Sequence, residues 1–119
     1  MSDFVSDVSA RKWGEEALGS EVPMLVSFGA DWCRPCHVVS PILEEIAKER
    51  AGQMKVLKLD VDQYREVTAE HGIRSIPTLA LFSGGAECGC VVGVLPKRRL
   101  ETELDQAMAP TDPPGDEAA

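Results

Sequence analysis

The residues of this chain best placed to do chemistry are two cysteines separated by two positions, in Trp32-Cys33-Arg34-Pro35-Cys36-His37. The thiolate, not the thiol, attacks disulfides and binds metals, so what matters is whether either sulfur ionises easily. The motif follows an apolar run, Met24-Leu25-Val26-Ser27-Phe28, and opens a stretch patterned as a helix. Cys33 is thereby expected at a helix N-terminus, where unpaired N–H groups and the macrodipole favour negative charge. Cys36 lies one helical turn further on and can close on Cys33. A pair so placed can make, break and exchange a disulfide repeatedly.

Other chemistry fits the same letters less well. A structural zinc site needs four ligands, and beyond this pair only Cys88, Cys90, His37 and His71 are available, with no second C-x-x-C. Cys36-His37 completes C-x-x-C-H, the haem attachment signature, but here a strand-like run precedes it and no export signal is visible. No metal is therefore expected, and His37 reads as a solvated residue on the first helical turn. Cys88 and Cys90, spaced by two in a strand pattern, should point to one face of a sheet. They read as small hydrophobes near an edge, or as a secondary redox pair or intermolecular disulfide. Asp60 and Asp62 alternate at a strand end and read as solvated or ion-paired. Lys97-Arg98-Arg99, at a helix start, reads as a surface face.

The elements that must position the cysteines are legible from periodicity. Val22 to Phe28 predicts a buried strand and Cys33 to Arg50 a helix, with Val38, Ile42, Ile46 and Val39, Leu43, Ala47 recurring every fourth residue. Lys48 and Arg50 suit its C-terminus and Gly52 stops it, while Pro41 should kink it. Met54 to Val61 predicts a second strand, followed by a short polar helix over Gln63 to His71 closed by Gly72. Thr78 to Phe82 and Glu87 to Leu95 predict a hairpin around Ser83-Gly84-Gly85-Ala86. Pro96 opens a last helix with Leu100, Leu104 and Met108 on one face. The first twenty residues should hold a short strand and a helix over Ala10 to Leu18. From Pro110 the acidic, proline-rich tail 110–119 reads as disordered, leaving 1–109 as one domain. Strands alternating with helices before a terminal hairpin imply an α/β fold with a central mixed β-sheet. The cysteines fall at the carboxyl end of a strand, where open α/β sheets place their chemistry.

A net charge of −8 in 119 residues argues against nucleic acid and anionic membranes as partners. The longest apolar stretch, Val22 to Ala30, is too short to span a bilayer. The N-terminus shows no basic segment followed by an apolar region, so a cytoplasmic setting is expected, where cysteines are more often catalytic than structural.

Taken in order, these motifs resemble the thioredoxin family. The likeness runs from about Val22 to Ala109. It includes Ala30-Asp31-Trp32-Cys33-x-Pro35-Cys36, Pro41, Lys58-Leu59-Asp60-Val61-Asp62, Gly72-Ile73-Arg74-Ser75-Ile76-Pro77-Thr78 and Gly93. The resemblance implies a thioredoxin-like fold with helices on both faces of the sheet. It makes Cys33 the nucleophile and Cys36 the resolving thiol. Trp32, Ile76, Pro77 and Gly93 would shape a groove for the substrate chain, with Pro77 matching the family's cis-proline. Nothing in the sequence itself sets that bond, since most X-Pro bonds are trans. Lys58 would lie beneath the site.

Three positions depart from the family pattern. Ser27 stands where a buried aspartate is usual, so deprotonation of Cys36 would be slower or would rely on water or Lys58. Gly29 stands where an aromatic is usual and removes bulk. Arg34 replaces a glycine between the cysteines, puts a cation beside both sulfurs and should make the couple more oxidising. Pro35 matches the family.

The expected function is a thiol–disulfide oxidoreductase that reduces protein disulfides, with roles in electron transport and cell redox homeostasis. It would act as a monomer, bind no cofactor and be re-reduced by an NADPH-dependent flavin thioredoxin reductase. The rivals are a thioredoxin-fold protein-binding module with weak redox activity and a more oxidising disulfide oxidase or isomerase.

Overall fold

The computed structural model describes residues 5–7 and 22–108; the helix expected over Ala10 to Leu18 and the tail from Pro110 lie outside the described residues. In chain order the elements are β1 (Val5–Asp7), β2 (Met24–Gly29), α1 (Arg34–Glu49), β3 (Lys55–Asp60), α2 (Arg65–Glu70), β4 (Thr78–Ser83), β5 (Ala86–Val92) and α3 (Lys97–Met108). The strands form a mixed five-stranded sheet in the order β1-β3-β2-β4-β5. β1, β3 and β2 run parallel, and β4 and β5 antiparallel.

β2 is the central strand and reads as an unbroken apolar run because both its faces are covered. Leu25, with Val5, Val56, Leu79 and Leu81, packs against Val39, Leu43, Ile46 and Ala47 of α1 and Leu100 and Leu104 of α3. On the opposite face Met24, Val26, Phe28, Leu57, Leu59, Ala80 and Phe82 pack together, with Val61, Tyr64, Val67 and Ile73 against them. Of the two helical series in α1, the sheet takes Val39, Leu43 and Ala47 with Ile46, and leaves Val38 exposed.

Several boundaries are tighter than the sequence predicts. α2 covers Arg65–Glu70 rather than Gln63 to His71, because Asp60 Oδ1 accepts the N–H groups of Asp62 and Gln63 and holds them in a turn. β5 stops at Val92, since Gly93 takes a φ of 95° and leaves the extended region. A bulge between Leu81 and Phe82 sets Glu87 opposite Phe82 and Gly89 opposite Leu81. Cys88 falls in that bulge, which breaks the simple alternation behind the expectation that Cys88 and Cys90 share a face. Among the described residues, no helix is long and apolar enough to cross a membrane.

Lys97 is more than a surface cation. Its Nζ donates to Glu45 Oε1 at 3.0 Å and Glu49 Oε2 at 2.6 Å, tying α3 to α1. The hydrogen bond from Lys97 is the main reason the Glu49 carboxyl titrates below its ordinary range. A depressed carboxyl stabilises fully above that range and loses its contribution as pH falls through the lowered value. All three groups are solvated, so Lys97→Met should lower the melting temperature by about 2 °C or less, and added salt should shrink the difference. Thermal scans at neutral pH, in acid and in high salt check this.

Candidate active site

β2 delivers the chain to Gly29, and a tight turn closed by the Cys33 N–H donating to the Ala30 carbonyl at 3.1 Å reverses it into α1. Cys33 is the N-cap of α1, with φ −90° and ψ 107°. Its Sγ accepts the backbone N–H of Cys36 at 3.2 Å, the contact a capping oxygen makes elsewhere. Pro35 in the first turn has no N–H to leave unpaired. Cys33 and Cys36 are joined in a disulfide with Cα atoms 5.3 Å apart. Cys33 is the more enclosed, only 4% exposed, while Cys36 is half-buried.

The enclosure is uneven because of what lies under Cys36. Ser27 of β2 is 7% exposed and pairs with Lys58 of β3, which pairs in turn with Asp7 of β1. In-register partners point to one face, so these three form a polar row across the sheet. The row floors a cavity of about 520 Å³ whose lining includes Ser27, Gly29, Cys36, Ser40, Lys58 and Asp60. Lys58 and Cys36 thus line the same cavity. The approach of Gly29 is close: a Cβ there would sit 3.0 Å from Cys36 Sγ.

Around the front of the disulfide, β2 and β4 run antiparallel with Phe28 opposite Thr78, which brings the segment before β4 to the end of the sheet where the cysteines lie. Ile76-Pro77 is cis. The Pro77 carbonyl accepts the Gly93 N–H at 2.8 Å, so these two residues, 16 apart in sequence, meet at that end. Pro77 is buried, and Ile76 and Gly93 half-buried. Trp32, in contrast, is 69% exposed, and Val92 and Val94 beyond β5 are also exposed. Arg34 is exposed on the first turn, so solvent screens its charge.

Asp62 is not a free solvated carboxylate. Its Oδ2 accepts the Trp32 indole N–H at 2.6 Å, which fixes the ring beside the motif. His37 remains exposed, but its Nε2 is 2.6 Å from the Asp31 carbonyl oxygen and braces the same turn. Asp7 of the cavity was missed as well. Its only signal was a short strand of unknown neighbours, and its place beside Lys58 depends on sheet order. Cys88 and Cys90 are exposed free thiols on β5. Partial desolvation first, and the Glu87 carboxylate as well, push both thiols above their ordinary value.

A disulfide between cysteines three residues apart, capping a helix at the carboxyl end of a parallel strand, marks a thiol–disulfide exchange protein of α/β architecture. The comparisons agree. Residues 4–106 match the family model described as Thioredoxin. Thioredoxin 1 of Nostoc sp. (strain PCC 7120) is 43% identical over 101 residues, 85% of this chain and 94% of that protein. Thioredoxin of Synechocystis sp. (strain PCC 6803) is 44% identical over 102 residues, 86% of this chain and 92% of that protein. The chloroplastic M-type thioredoxin of Pisum sativum is 41% identical over 102 residues, covering 86% of this chain and 59% of that protein. The chain belongs to the thioredoxin family and is a thiol–disulfide oxidoreductase with a redox-active cysteine pair. Disulfide-bearing substrates and a reductase that restores the dithiol follow from that membership in general.

Proposed function

We propose that Cys33 is the nucleophile and Cys36 the resolving thiol of a protein-disulfide reductase. The observation that carries this reading is the cap of α1: the Cys36 N–H aimed at Cys33 Sγ would stabilise a thiolate there, as would the helix N-terminus. In the reduced protein, Cys33 attacks a substrate disulfide and forms a mixed disulfide. Cys36, losing its proton, then attacks Cys33, releases the reduced substrate and regenerates the Cys33–Cys36 disulfide. The substrate chain lies over Trp32, Ile76, Pro77 and Gly93, with exposed Val92 and Val94 extending the apolar surface. Arg34, Pro35, Ser27 and Lys58 tune the pair. An NADPH-dependent thioredoxin reductase returns the electrons, and the protein works as a cytoplasmic monomer in electron transport and redox homeostasis. NADPH consumption with insulin as acceptor, coupled through such a reductase, tests the assignment.

Cys88 and Cys90 are kept protonated at neutral pH by the same upward push on their thiols, and serve at most as a slow secondary pair. With the protein reduced, iodoacetamide should modify them about tenfold more slowly than Cys33, since alkylation follows the thiolate fraction. Peptide mapping of timed samples reads the order. Faster labelling on β5 than at Cys33 would remove the electrostatic argument for the nucleophile.

A further inference from the structure

α1 begins with a cation where its own electrostatics favour an anion. Arg34 is the first helical residue, the first turn holds no acidic side chain, and a helix N-terminus repels positive charge. Lys97 and Arg50, the cations that tie α1 to α3, are held by carboxylates: Glu45 and Glu49 in one case, Asp105 at 2.9 Å in the other. Among the described residues Arg34 has no such bond, and it is exposed. An unpartnered cation at a disfavoured place adds no contact to the fold. It stands between the two reacting cysteines, next to the sulfur every substrate must meet. We propose that Arg34 selects substrates by pairing with a carboxylate beside their disulfide, so that the preferred partners are protein segments with Asp or Glu next to the reacting cysteine. This rests on the assignment of Cys33 as the nucleophile.

The selection follows from the exchange step. The Cys33 thiolate bonds to the nearer substrate sulfur and the substrate S–S bond breaks. Its electron pair leaves on the farther sulfur, which takes a proton from water. A carboxylate beside that disulfide hinders the step, because it repels the incoming anion and raises the pKa of the departing thiol. Arg34, adjacent to Cys33, offsets both effects. A guanidinium suits the task, since its planar fork can donate two parallel hydrogen bonds to one carboxylate. Water screens the charge in the free protein; a docked segment displaces that water and strengthens the pair. Asp31 and Asp62 stand on the Trp32 side of the motif, with Asp62 already engaged by the indole N–H, and Arg74 lies two positions before Ile76. None of these lies between the cysteines, so the selectivity that belongs to Arg34 is what changes when it alone is replaced.

The test uses two disulfide-linked peptide dimers, one with glutamate and one with lysine on both sides of the cysteine. Single-turnover reduction of each by the pre-reduced protein is followed at low salt as loss of protein thiol. The ratio of the glutamate rate to the lysine rate should fall about tenfold in Arg34→Gln and about a hundredfold in Arg34→Glu. Salt at about 0.5 M should shrink both changes. The ratio cancels any effect of Arg34 on the Cys33 thiolate, which alters both peptides alike. Comparing variants cancels each peptide's own reactivity. Gln and Glu are no worse than Arg in a first helical turn, so both variants should fold. A ratio that stays the same in wild type, Arg34→Gln and Arg34→Glu would overturn the proposal and leave Cys33 as nucleophile intact. Loss of the nucleophile assignment would show up separately, as peptide reduction that survives Cys33→Ser.

Discussion

Cys33→Ser is expected to lower insulin reduction by roughly a thousandfold or more, to the rate of dithiothreitol alone, because a serine hydroxyl does not ionise near neutral pH. The fold should be unaffected, since serine is a good helix N-cap and can accept the Cys36 N–H that Cys33 Sγ now takes at 3.2 Å. Loss of activity with an unchanged melting curve of the reduced protein would therefore locate the effect in the chemistry. Cys36→Ser should behave differently. It keeps the nucleophile, so it should attack once and remain linked to the substrate through Cys33, because nothing resolves the mixed disulfide. Turbidity assays give the first result, and non-reducing gels with mass mapping give the second. Trapped substrate on Cys36 in the Cys33→Ser protein, with none on Cys33 in the other variant, would reverse the two roles.

The second large effect is at Ser27. The residue is only 7% exposed, lines the same cavity as Cys36 and lies in register with Lys58. A hydroxyl is too weak a base to take the Cys36 proton at neutral pH, and Asp7, two strands away, is about 10 Å from it at ordinary strand spacing. Ser27→Asp should raise the single-turnover rate of insulin reduction by about tenfold, a modest share of what a positioned general base contributes. The same change should cost roughly 1–3 kcal/mol of stability at neutral pH, because the new carboxylate is desolvated and Lys58 offsets this only in part. A carboxyl raised by burial is disfavoured as the anion, so the penalty should grow as pH rises through the ordinary carboxylate range and vanish below it. Stopped-flow rates and denaturant titrations against pH check both. An unchanged rate would mean that Cys36 loses its proton readily to the cavity without a carboxylate.

The two variants depend on different kinds of information. α1 begins and ends within a residue of its sequence boundaries because its signals are local: the cap at Cys33, the apolar recurrence through Ala47, and the basic residues before Gly52. The same locality made β2 and β4 readable as apolar runs. It misjudged α2 and β5, whose ends depend on the Asp60 side chain and on the left-handed backbone of Gly93, held by its N–H donating to the Pro77 carbonyl. Local spacing also left Asp62 as an anonymous carboxylate, because its partner Trp32 is thirty positions away and meets it only through the pairing of β2 with β3.

By itself, then, the sequence determined the element order from β2 to α3, the pair Cys33 and Cys36 and its place at a helix start, all set by periodicities and capping over a few residues. Tertiary structure alone decided that Pro77 and Gly93 close on each other and that Asp7, Lys58 and Ser27 share one row. It alone decided that a cavity borders Cys36 and that Gly29 lies close against its sulfur. These depend on strand order and on what faces a missing side chain, and such distances are set by packing between elements far apart in the chain rather than by any neighbouring residue.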